Sequence, residues 1–170
     1  FFASLVLRDV LGQPRIGDVT RQWVYDFVGA IFGAQNPQTL RREINDAFLL
    51  ISKKNTKSTI AAAIMLTAME LDERESSEYL ILAPTKEVAD NSFTPAKDMI
   101  RSDPALSATY HIQSHTRTIT NLVTGATLKV VAADDKTVGG KKATGLLIDE
   151  LHLFGKVSGA ESMIAEATGG

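Results

Sequence analysis

The sequence contains no cysteine. That absence excludes disulfides, thiolate nucleophiles and cysteine-built zinc sites together, and it leaves the redox compartment undetermined by thiol usage. A large charge of one sign is lacking too: 18 Lys and Arg stand against 20 Asp and Glu in 170 residues, a net charge of −2. A molecule so balanced carries no basic coat, so any contact with nucleic acid must come from a local patch. Long hydrophobic runs are also missing. The longest, Ile60 to Met69 broken only by Thr67, is well short of the roughly 18 residues that cross a membrane. Phe1–Leu7 is apolar but has nothing basic before it, which argues against a secretory signal. Repeats, low-complexity tracts and linkers are absent, and no Met stands at position 1. The sequence reads as a piece of a longer protein.

What remains is ordinary globular material, 44% hydrophobic and 22% charged, which excludes a wholly disordered or collagen-like chain. A chain this long buries roughly 70% of its unfolded surface, enough for one core and one domain. Over Trp23–Phe32, apolar residues at Trp23, Phe27, Ala30 and Ile31 follow helical spacing, and Gly33 ends the segment. Ala47–Ile51 (AFLLI) is a continuous apolar run of strand length, as expected for a strand buried on both faces. From Ser58 the segment STIAAAIMLTAMEL predicts a strong helix. Tyr79–Ala83 (YLILA) predicts a second buried strand, stopped by Pro84, and Lys86 to Arg101 a polar-faced helix. His111–Gln113, Thr118–Asn121, Thr127–Ala132 and Gly145–Ile148 read as further strands, with a hairpin signal at Thr124-Gly125. Strands alternating with helices imply an α/β fold around a parallel sheet with right-handed crossovers.

Two segments carry chemistry. Ser52-Lys53-Lys54-Asn55-Thr56-Lys57-Ser58-Thr59 lies between a predicted strand and an Ala-rich helix. A phosphate-binding loop belongs in that place, because a helix N-terminus presents unpaired N–H groups and partial positive charge. A Lys followed by Ser can put an ammonium on the β/γ-phosphates and a hydroxyl on Mg²⁺. The strict G-x-x-x-x-G-K-[ST] pattern is not met, since Ile51 and Thr56 occupy the glycine positions; a basic, solvated helix start is the plainer reading. The second segment, Leu146-Leu147-Ile148-Asp149-Glu150, is an apolar strand ending in two carboxylates. Neighbouring strand residues point to opposite faces, so one acid can hold Mg²⁺ while the other orients or deprotonates a water. Capping acids after a strand are the alternative. Both half-signals fall at the C-terminal ends of predicted buried strands, where open α/β sheets bind ligands. Together they predict an NTPase site.

Other residues give weaker signals. His111 and His115 are four apart, but Ile112 stands where a zinc helix needs Glu. His152 can sense nucleotide state or be structural. Gly139, Gly140, Lys141 and Lys142 form a basic loop, either a solvated turn or a DNA contact. Arg41 and Arg42 precede the loop strand as surface charges or phosphate contacts. Gln22 and Trp23 can supply an adenine contact and a stacking face, although a Trp on an apolar helix face is more often core.

Across QWVYDFVGAIFG, LLISKKNTKSTIAAAIM, LILAPTKEVADNSF, TGATLKVVAADDKTVGGKKATG and LLIDELHLFG, from about Gln22 to Gly170, the sequence resembles the N-terminal ATPase region of tailed-bacteriophage terminase large subunits. In that family the Walker A loop is deviant, with a basic residue early and the phosphate-binding Lys late; Lys53 and Lys57 match those places. Thr56 departs from the Gly that many members carry. Asp149 matches the Walker B aspartate that holds the metal with Ser58, and Glu150 matches the catalytic carboxylate.

The resemblance implies a three-layer P-loop NTPase of the RecA-like, additional-strand class, with a mainly parallel sheet short of its final strand and residues 1–45 as a helical lead-in. It also implies ATP and Mg²⁺ as cofactors and ATP-driven translocation of double-stranded DNA into a procapsid. The partners would be a portal protein, a small terminase subunit and further copies in a ring, working in the host cytoplasm at the portal vertex, with no membrane. The coupling motif is expected just beyond Gly170, and the nuclease domain, hence DNA cleavage, to be absent from this chain. No arginine finger is assigned. Two alternatives stand beside it. One is a DExH-type helicase, from Asp149-Glu150-Leu151-His152 and Ala83-Pro84-Thr85. The other is a nucleotide-binding module that does not hydrolyse.

Overall fold

A computed structural model describes residues 1–39, 41–52, 56–133, 143–155 and 162–165. The chain starts with a short 3-10 turn (Phe2–Ser4), α1 (Ile16–Val19) and α2 (Gln22–Gly33). Helix α2 turns Val24 and Val28 inward, with Phe27, Ile31 and Phe32 packed partly against the core. Trp23, expected on the apolar face, is 37% exposed instead. The valines one and five positions further on set the buried stripe.

Helix α3 (Lys57–Leu71) has no polar flank through its middle: every residue from Ile60 to Thr67 is buried. A helix apolar all round must sit inside the molecule. It packs against both the sheet and α4 (Lys86–Arg101). The α4 boundaries coincide with the sequence expectation for physical reasons. The Thr85 hydroxyl caps the first turn by accepting from the Val88 N–H at 3.3 Å, Glu87 lies at the positive end and Arg101 at the negative end. Asp103 then caps α5 (Pro104–Thr109), whose first residue is a proline free of any need to donate there.

The five strands are β1 (Glu78–Ala83), β2 (Tyr110–Gln113), β3 (Thr118–Asn121), β4 (Thr127–Ala132) and β5 (Gly145–Ile148), in the spatial order β2-β3-β4-β1-β5. The centre is parallel, β4 and β5 flanking β1 in register Leu80↔Lys129 and Leu80↔Leu146. The β2 and β3 strands extend it as an antiparallel margin. The reversal into β4 is set by Gly125 at φ +72 and by Asn121, whose Oδ1 accepts from the Val123 and Thr124 N–H groups.

Strand alternation divides the core into two layers. Tyr79, Ile81, Ala83, Leu128 and Val130 pack with α3 and α4, whereas Leu80, Leu82 and Val131 pack with Phe154 and Met163. Met163 lies in a helical turn over 162–165, and Phe154 ends α6 (Leu151–Phe154). Burying Ile81 and Leu82 completely contributes about 1.5–3 kcal/mol each. No helix among the described residues is long and apolar enough to cross a membrane.

The expected strand at Ala47–Ile51 is absent. Residues 44–52 form no ladder, and Phe48 and Leu50 are 72% and 84% exposed. An apolar run becomes a strand only when another strand satisfies its N–H and C=O groups, and none of the five described strands pairs with it.

Candidate functional site

The last strand of the parallel centre delivers Asp149. Its N–H still donates to the Leu82 carbonyl at 2.9 Å, which ties it to β1 one step past the end of β5. The chain then turns sharply at Glu150, in the left-handed region at φ +54, ψ +44, before α6 begins. On the other side of the site Thr56 is also left-handed, at φ +53, ψ +27, and leads into α3. That conformation costs a β-branched residue strain and suits glycine, which gives the departure at Thr56 a structural meaning.

Those two turns bring the chemical groups together across 93 and 91 residues of sequence. Lys57 Nζ donates to Glu150 Oε1 at 2.6 Å and lies 3.8 Å from Asp149 Oδ1. Ser58 Oγ donates to Asp149 Oδ2 at 2.9 Å. The Asp149 side chain is only 2% exposed, while those of Lys57 and Glu150 are 29% and 27% exposed. A carboxylate so buried needs partners. It finds them in the Ser58 hydroxyl, the nearby ammonium and one group that the sequence reading missed: Ser92 Oγ, which donates to Asp149 Oδ2 at 2.7 Å. The signal for Ser92 was its place on α4, a hydroxyl in the buried stripe Ala89, Ser92, Phe93, Ala96. Beside these groups, His152 Nδ1 lies 3.3 Å from Glu150 Oε2.

The arrangement joins an ammonium at the start of a 15-residue helix, a hydroxyl and carboxylate in contact, and a second, accessible carboxylate. Helix start and ammonium favour an anion. Ser58 and Asp149 offer hard oxygen donors side by side, the donor type that Mg²⁺ selects when a substrate phosphate completes its shell. The residues present therefore fit that cation. No group of three or more His, Asp or Glu that could hold a metal ion by itself occurs among the described residues.

Lys53, Lys54 and Asn55 lie outside the described residues, as do Gly139 to Lys142. Ser52 is exposed, and Thr59 is half-buried in the first turn of α3. Gln22 donates to Asp26 at 2.9 Å within α2. His111 and His115 are exposed in β2 and the following turn, and Arg41 and Arg42 are exposed too; the Arg42 guanidinium stands 5.7 Å over the Phe32 ring.

A family model described as terminase large subunit, ATPase domain, matches residues 22–167. Among solved structures, the crystal structure of the bacteriophage HK97 large terminase is similar with a TM-score of 0.80 and 22% identity, covering 99% of this chain and 34% of that one. The large terminase of a thermophilic bacteriophage gives 0.52 and 20% identity over 69% of this chain and 29% of its own. The chain thus spans about a third of these proteins, and at such identities they establish the fold alone. No curated protein matches it.

Proposed function

The chain belongs to the terminase large subunit ATPase-domain family, and from that premise we propose that it hydrolyses ATP to drive double-stranded DNA into a procapsid. The observation that carries the reading is the meeting of Lys57 and Ser58 with Asp149 and Glu150 in one cluster. In this reading Lys57 and the N–H groups at the start of α3 bind the β/γ-phosphates, with Ser52, Lys53, Lys54, Asn55, Thr56 and Thr59 completing the loop. Gln22 and Trp23 take the adenine. Ser58 and Asp149 hold Mg²⁺, which when bound neutralises charge developing on the phosphates. Glu150, more accessible than Asp149, orients the attacking water and takes its proton on a carboxylate oxygen. Lys57 moves its ammonium from Glu150 Oε1 to phosphate, which opens that oxygen to the water. Double-stranded DNA, a portal protein, a small terminase subunit and other copies of the chain in a ring are the partners, at the portal vertex in the host cytoplasm.

The test is ATP binding and phosphate release by the full chain and by Lys57→Ala. Mg²⁺-dependent binding that the substitution abolishes supports the reading. Binding that survives it moves the phosphate site elsewhere.

A further inference from the structure

Asp149 has two hydroxyl donors, and only one of them comes from the loop. Ser58 Oγ and Ser92 Oγ both reach Oδ2, at 2.9 and 2.7 Å. Ser92 is 0% exposed, and its neighbours along the buried stripe of α4 are Ala89, Phe93 and Ala96. A hydroxyl placed among such groups needs a partner, and this one takes its partner from a residue 57 positions away, at the end of β5.

The competing attraction lies on the other oxygen. Lys57 Nζ is 3.8 Å from Asp149 Oδ1. The terminal torsion of an aspartate is broad and roughly two-fold, so a single hydrogen bond from Ser58 leaves the carboxylate free to turn toward that ammonium. A second donor, fixed in a packed helix, removes the freedom. We propose that Ser92 is a positioning residue for Asp149. It holds Oδ2 against Ser58 and so keeps the hydroxyl–carboxylate pair in the arrangement that receives a divalent cation. The proposal rests on the reading of this site as a Mg²⁺-nucleotide site. It adds a role for α4, an element outside both the loop and the acidic strand end.

Loss of the Ser92 hydroxyl should weaken the cation seat without touching Lys57 or Glu150. The experiment is a titration of the full chain with Mn²⁺ in the presence of ADP, followed by electron paramagnetic resonance, beside ADP binding in chelator and thermal melting. Ser92→Ala should bind Mn²⁺ about tenfold more weakly, the scale of one lost hydrogen bond to a charged group. Its metal-free ADP affinity should equal the parent's, and Ser92→Thr, which keeps the hydroxyl, should recover most of the loss.

Parental Mn²⁺ affinity in Ser92→Ala overturns the proposal. So does a loss that Ser92→Thr leaves uncorrected, or one matched by weaker metal-free ADP binding, since either assigns the effect to packing. A parent chain that binds ADP in chelator but gains no Mn²⁺ site overturns the reading of Ser58 and Asp149 and this inference with it. Parental binding with an unaffected alanine variant overturns the inference alone.

Discussion

Glu150→Gln separates binding from chemistry. The parent carboxylate accepts from Lys57 Nζ at 2.6 Å, and the two side chains are 29% and 27% exposed. A triphosphate that takes the Lys57 ammonium must therefore compete with Glu150. Ion pairs this accessible contribute about 1 kcal/mol at most, a factor of about five in an equilibrium constant. The Gln amide oxygen still accepts from Lys57 but carries no charge, so ATP should bind between equally well and about fivefold more tightly. Hydrolysis should fall much further, because removing a positioned general base costs about 10²–10⁴ in rate. The assay pairs fluorescence titration of a labelled ATP with steady-state phosphate release, on parent and variant in the same buffer. Undiminished phosphate release would refute the role of Glu150. A marked loss of ATP affinity would refute the competition between its carboxylate and phosphate for Lys57.

Three more outcomes concern the frame around the site. A methyl group added at Gly145 would stand 2.7 and 2.9 Å from Tyr79 Cδ1 and Cε1, and the ring is held by hydroxyl bonds to Asp72 and the Ala68 carbonyl. Gly145→Ala should cost about 1–3 kcal/mol in urea unfolding, the usual scale of overpacking; an unchanged midpoint would show that the ring yields freely. Thr56→Gly should raise stability by about 0.5–1 kcal/mol, since relief of the left-handed conformation exceeds the entropy that glycine adds to the unfolded chain. A lower melting temperature would contradict the strain at φ +53. The Arg74 guanidinium, opposed by burial and helped by the Ser77 and Tyr79 hydroxyls, holds the Asp72 carboxyl well below the usual carboxylate range. A depressed folded-state value stabilises above the unfolded value of about 3.9 and is lost as pH falls below it. The stability advantage of the parent over Asp72→Asn should thus be full near neutrality and shrink below about pH 4; a pH-independent difference would contradict the linkage.

Much of this architecture was legible in the sequence because local and global preferences agree. Lys86 to Arg101 has a capping Thr before it and complementary charges at its two ends, so its limits can be read without tertiary contacts. Thr118–Asn121, Thr127–Ala132 and Gly145–Ile148 stand where their patterns put them. Ala47–Ile51 shows the converse, an apolar run with no ladder partner among the described residues, its side chains largely in solvent. Helix α2 stands where its pattern puts it, and Phe27 and Ile31 of the expected stripe pack partly against the core, but the fully buried positions are Val24 and Val28 while Trp23 is exposed. Within the site, Lys57, Ser58, Asp149 and Glu150 came from their positions at a helix start and a strand end. Ser92 did not, since a lone serine in a buried stripe announces a hydrogen bond without naming its partner. Belonging to the terminase family sets aside the helicase reading that Asp149-Glu150-Leu151-His152 also allowed.

A crystal structure of the full chain with Mn²⁺ and a non-hydrolysable ATP analogue tests most directly whether the cluster of Lys57, Ser58, Asp149 and Glu150 receives a nucleotide and its cation. The anomalous signal of the metal should fall beside Ser58 Oγ and the Asp149 carboxylate, with the terminal phosphate on Lys57 Nζ and Glu150 facing it. A triphosphate bound elsewhere, with the bonds from Lys57 to Glu150 and from Ser58 to Asp149 undisturbed and no metal between them, would contradict it.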